Sequence, residues 1–174
     1  MRLCLLSLSM LAWLAAAPAL SAATPDAGLE DDVPFAINGY LSDAWFDPLT
    51  DGQGFFIIVW EDIQTVFLSW FTYDTERPPE DVTAILGEPG HRWLTAQGAY
   101  DGDTATLEVN LTEGGVFDSA TPAPAPAQPV GSITITWSGC NTGFLSYSLP
   151  DLGLSGDIPI ERIVLDNVPA CEAG

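Results

Sequence analysis

The chain has 174 residues, 47% of them apolar, and a formal net charge of −20: 24 acids stand against four arginines (Arg2, Arg77, Arg92 and Arg162), with no lysine. Such a surface repels nucleic acid and anionic membranes and attracts divalent cations or a basic partner. The plainer role of the acids is to keep an aromatic-rich protein soluble.

Met1 and Arg2 precede LCLLSLSMLAWLAAAPALSAA, a basic start and apolar stretch ending in small residues. This pattern predicts a secretory signal peptide over 1–23 and a periplasmic or secreted mature protein. The alternative, a membrane anchor, is opposed by Ser7, Ser9 and Pro18 within the stretch and by the absence of a stop-transfer charge after it. No later segment is long and apolar enough for a spanning helix, so no integral membrane insertion is expected after processing. About 150 residues then remain, one domain's worth.

Residues 24–34 are acidic and apolar-poor and read as a flexible lead-in. From 35 to 174 the dominant signal is alternation of period two between turn residues. In SITITW, Ile133, Ile135 and Trp137 share one face; in ATLEVNLT, Leu107, Val109 and Leu111 do the same. The alternation predicts about eight strands, near 35–41, 54–61, 65–74, 92–100, 104–112, 132–138, 143–149 and 157–165. Hairpin turns are expected at Asp101-Gly102 and at Asn141-Thr142-Gly143. No segment suits a helical crossover, so the expected fold is all-β: a single antiparallel meander closed as a small barrel or a sandwich.

Two connections are long. DTERPPEDVTAILGEPGHR carries Pro78-Pro79 and a short helical turn expected over 80–86, and reads as a lid on one end of the sheet. The Pro/Ala-rich stretch 119–131 reads as an extended, solvated hairpin loop.

Cys4 leaves with the signal peptide, so an exported chain keeps Cys140 and Cys171, and one disulfide is the expected pairing. In a meander both cysteines fall at the same end of the sheet, with one strand between theirs, about 9 to 10 Å across. The tail before Cys171 can close that gap.

Aromatics give the candidate ligand-binding residues: Trp45, Phe46, Trp60, Trp70, Tyr73 and Trp93, with Phe71 in the same cluster. Strand-borne rings can stack on a glycan or hold peptide and protein side chains; filling the core is their other role. Asp43, Asp47 and Asp51 offer a loose calcium site, although DPLTDG lacks the ligand pattern of an EF-hand. The plainer reading is that these acids face water while Trp45 and Phe46 cap the sheet end. GQGFFI lacks the third glycine and following helix of a dinucleotide fingerprint. His91 is the sole histidine, and neither G-x-S-x-G nor H-E-x-x-H is present. No catalytic residue is assigned. Arg162 shares parity with Ile158 and Ile160, so it is expected to point inward and to require a carboxylate partner.

GYLSDAWFDP, GQGFF, SWFTYDTERPPEDVTA, GEPGHRWLTAQG and GDIPIER with DNV and Cys171 resemble a family of exported bacterial β-rich proteins with a G-Y-x4-W-[FY]-[DN]-P start and a W-F-T-Y-D strand. The resemblance covers nearly the whole mature chain. It implies export and a β fold, and brings no activity, cofactor or catalytic residue.

The function expected from these features is a noncatalytic exported binding module for a glycan, peptide or protein. The alternatives are a hydrolase with an unrecognised carboxylate site, or a barrel carrying a small apolar ligand, which requires an open lumen.

Overall fold

Where apolar and polar residues alternate without interruption, the backbone is extended. The computed structural model describes residues 35–83, 86–87 and 90–174; the predicted signal peptide and lead-in lie outside the described residues. The strands are β1 (Asp43–Phe46), β2 (Gly54–Trp60), β3 (Thr65–Tyr73), β4 (His91–Asp101), β5 (Thr104–Leu111), β6 (Gln128–Gly139), β7 (Thr142–Leu149) and β8 (Leu154–Arg162). Each pairs antiparallel with its neighbour in the chain. β8 returns to β1 through Trp45↔Arg162 and Phe46↔Glu161, which closes the sheet into a barrel. Of the two expected architectures the barrel is the one formed, and closure removes the exposed edges that an open sheet would leave.

One face of each strand fills the interior. Val66, Leu68, Ala105, Leu107, Val109, Ile133, Ile135 and Leu145 are buried there, as suits a barrel whose lumen is about as wide as its side chains. The outward face of β5 to β8 carries polar residues such as Thr106, Glu108, Ser132, Ser146 and Asp157. On this half the pattern is apolar-in and polar-out, the inverse of a membrane barrel. Among the described residues, no helix is long and apolar enough to cross a membrane.

Three expectations need adjusting. Residues 35–41 do not form a strand: the Asn38 side chain accepts from the Tyr40 N–H, and Ser42 N–H donates to Gly39 O, closing a 3₁₀ turn at Gly39–Leu41. Ile37 and Leu41 are buried, while the backbone follows the local asparagine cap. The first strand begins later, and Trp45 belongs to it rather than to a connection. The two tight turns lie at Gly102-Asp103 and Cys140-Asn141, bracketed by the pairs Asp101↔Thr104 and Gly139↔Thr142. In the lid segment Val82 N–H donates to Pro79 O, and residues 84 and 85 of the expected 80–86 turn lie outside the described residues.

The two ends of the barrel differ. At one end the chain enters through Ile37, whose N–H donates to Gly102 O, and leaves through the short helix α1 (Val168–Ala173), which follows Asn167 and carries a proline in its first turn. Cys171 on this helix is bonded to Cys140 with Cα atoms 5.8 Å apart. The chain-entropy relation values that loop at about 3 to 4 kcal/mol. The other end carries the connections 47–53, 74–90, 112–127 and 150–153, three of them long.

Arg162 seals the first end. Its side chain is buried and points inward, as its parity requires. Nη1 donates to Asp43 Oδ2 at 2.5 Å, Nη2 to Tyr40 O at 2.7 Å, and Nε to Cys140 O. The guanidinium lies 4.8 Å from the ring centre of Trp45. One side chain therefore ties the 3₁₀ turn, β1, the β6–β7 turn and β8 together, and every partner that a buried cation requires is present.

Candidate functional site

Strand β3 sorts the aromatic residues by parity. Its odd positions, Phe67, Phe71 and Tyr73, face outward, and its even positions, Val66, Leu68 and Trp70, face the lumen. Trp60, Trp70, Tyr73 and Trp93, one cluster in the sequence, are divided: Trp60 and Trp93 lie outside, Trp70 inside, and Tyr73, outward on β3, also lines the mouth of the lumen.

The outer surface spans β2, β3 and β4. Trp93 is 58% exposed and Phe56 56%, and Ile58, Trp60, Phe71 and Tyr73 are also exposed. Cross-strand register makes them neighbours: Ile58 opposes Phe67, and Phe71 opposes Trp93. The Phe56 and Phe71 rings meet edge-on, with centroids 5.5 Å apart and planes at 84°, and Trp60 lies 6.1 Å from Phe67. Tyr73 reaches the His91 ring at 5.5 Å. Phe46, half-buried on β1, pairs with Glu161 of β8 beside this surface. Exposed aromatics in contact over three strands form the kind of contiguous patch that marks an interaction surface. Phe56 and Ile58 are not singled out by the sequence as site residues because GFFIIVW is apolar at every position; only the burial of Phe55, Ile57 and Val59 separates the two faces.

The inner surface is the open end of the lumen. A cavity of about 410 Å³ is bounded by Trp70, Leu94, Leu111, Tyr147, Leu149 and Leu154, with Thr72, Asp74, Arg92 and Glu113 among its polar groups. Trp70 of β3 and Tyr147 of β7 meet across the lumen, with ring centres 5.2 Å apart. Trp70 also touches Phe55 at 5.4 Å. It thus forms a wall shared with a second cavity of about 70 Å³ beside Gln53 and Ile158. Arg92 Nη2 donates to Asp74 Oδ2 at 2.5 Å, and both side chains are close to half exposed. The base of the lid segment is pinned here, where Asp74 N–H donates to Gly90 O at 2.7 Å.

Two of the sequence candidates take other roles. Trp45 is fully buried, its indole N–H donating to Leu41 O at 3.0 Å and its ring edge-on to Trp137. In this fold it has no face for a ligand, because its position on β1 points into the closed end. Asp43, Asp47 and Asp51 are not gathered: Asp43 binds Arg162, and Asp47 Oδ1 accepts from Leu49 N–H. Among the described residues no group of three or more His, Cys, Asp or Glu side chains is placed to hold a metal ion. His91 is exposed on the outer surface beside Tyr73.

No protein-family model, curated protein or solved structure matches the chain.

Proposed function

We propose that this is a noncatalytic, exported binding module that docks a basic, apolar-bearing polypeptide on the outer aromatic surface of β2 to β4. The observation that carries the reading is the contiguous array of Phe56, Ile58, Phe71 and Trp93, exposed on strands whose inner faces already supply the buried core. Rings of this size contribute most of the energy at protein interfaces when a partner desolvates them.

The charge balance supports the class of partner. A chain of net charge −20 repels a second copy of itself and attracts a cationic segment. Exposed indole and phenyl faces add cation–π attraction for Lys and Arg. A glycan is less well suited, since flat sugar rings want coplanar platforms, and Phe56 and Phe71 stand at 84° to one another. The signal-type N-terminus and the resemblance to exported bacterial proteins support export, where such a partner would be another envelope or extracellular protein.

Calorimetric titration with two peptides of equal length and charge, one of lysine and leucine and one of lysine and serine, tests the reading. The leucine peptide should bind at least about tenfold more tightly, a difference of about 1.4 kcal/mol. Trp93→Ser combined with Phe71→Ser should erase that difference. Equal binding of both peptides, or no effect of the double variant, would show charge attraction alone and reject the surface.

A further inference from the structure

We infer that the open end of the barrel is a second, independent binding site, for a small molecule with an apolar body and a cationic, amine-type end. The interior is packed at the closed end and hollow at the other. The cavity of about 410 Å³ there falls in the range of small-molecule sites and exceeds what a packing defect leaves. Its walls are aromatic and aliphatic: Trp70, Leu94, Leu111, Tyr147 and Leu149.

Eight-stranded barrels are at the width where the lumen is either filled by side chains or holds one small ligand. Here the Trp70–Tyr147 contact marks the change from one regime to the other. A ligand body entering from the mouth would rest against these two rings.

The polar groups set the charge of the ligand. Among the described residues Arg92 is the one cation lining the cavity, and it is committed to Asp74 and to His91 O. Glu113, an exposed carboxylate, also lines the cavity. With Arg92 and Asp74 paired to each other, Glu113 gives the lining a net negative charge, which a ligand ammonium would meet. The Trp70 indole and the Tyr147 phenol bring polar atoms to an otherwise apolar lining. Apolar walls with a few convergent polar groups are the usual composition of a small-molecule site.

The test compares three probes that share one ring body: naphthylmethylamine, naphthylmethanol and naphthoate. Each is titrated into the oxidised protein while tryptophan fluorescence is followed. The amine should bind saturably, one per chain, and more tightly than the alcohol, with naphthoate weakest. Glu113→Gln, on the exposed rim and without effect on the melting temperature, should weaken the amine by about three- to fivefold, the worth of an exposed charge pair, and leave the alcohol unchanged. Trp93→Ser should leave all three unchanged, which separates this site from the outer surface and makes the two readings fail independently. Absence of saturable binding by any probe overturns the site. Amine binding no tighter than that of the alcohol, or indifferent to Glu113→Gln, overturns the ligand class.

Discussion

Arg162 and Asp43 meet at the seam where β8 closes onto β1, guanidinium Nη1 to carboxylate Oδ2 at 2.5 Å, with the arginine side chain wholly removed from solvent. A buried cation that loses its anion leaves an uncompensated charge, which costs about 3 to 5 kcal/mol. Asp43→Ala should therefore lower the free energy of unfolding in urea by about that amount. Arg162→Met should also destabilise, since it strands the Asp43 carboxylate and the carbonyls of Tyr40 and Cys140. The double variant should cost less than the sum of the singles, the sign of a direct pair. Strict additivity would mean that the seam is held by other contacts.

Gly98 makes a second structural claim. A Cβ built there would lie 2.0 Å from Thr106 O and 2.9 Å from Leu107 Cα, both backbone atoms of the neighbouring strand. Glycine in a strand interior commonly marks a tight bend where a barrel turns a corner. Gly98→Ala should cost at least about 2 kcal/mol in thermal or urea unfolding, because the strands must separate. Gly139→Ala is the control: its nearest neighbour is the Thr142 hydroxyl oxygen at 3.8 Å, and the change should be close to neutral. Equal costs at both positions would remove the bend from the account.

Tyr100 should give the barrel a weakness to alkali. Burial pushes its phenol pKa above the ordinary 10.0, and the negative charge of Glu61 pushes it further in the same direction. The folded chain thus holds the phenolic proton more tightly than the unfolded chain does. The stability from that preference is complete below the unfolded value, about pH 10, and is lost as pH rises through the folded one. Urea midpoints measured on both sides of about pH 10 should fall more steeply for the native protein than for Tyr100→Phe. Parallel declines would contradict the shift.

Much of the architecture was legible because it depends on parity. Ile133, Ile135 and Trp137 show their inward face in the sequence itself, and the same counting turns Arg162 inward and brings Cys140 and Cys171 to one end. The errors arose where local chemistry displaced the pattern. Asn38 converts an alternating stretch into a 3₁₀ turn, and α1 is a single short helix whose place is set by the disulfide and by packing against the closed end. The candidate site was legible as a set of residue types but not as surfaces. WFTY reads as one aromatic run, yet Trp70 belongs to the cavity and Phe71 to the exterior. In GFFIIVW no polar position marks the outward side, so the exposure of Phe56 and Ile58 depends on register against β3 and β1, which sequence does not print.

The most direct test of the outer binding surface follows the indole N–H signals by NMR while the lysine–leucine peptide is added. Trp60 and Trp93 lie on the outer surface, Trp70 in the mouth, and Trp45 and Trp137 in the closed end. The outer-surface reading predicts that Trp93 and Trp60 shift in a saturable way while Trp45 and Trp137 stay fixed. If Trp93 and Trp60 hold still as the peptide binds, the aromatic surface of β2 to β4 is not where this protein meets a partner.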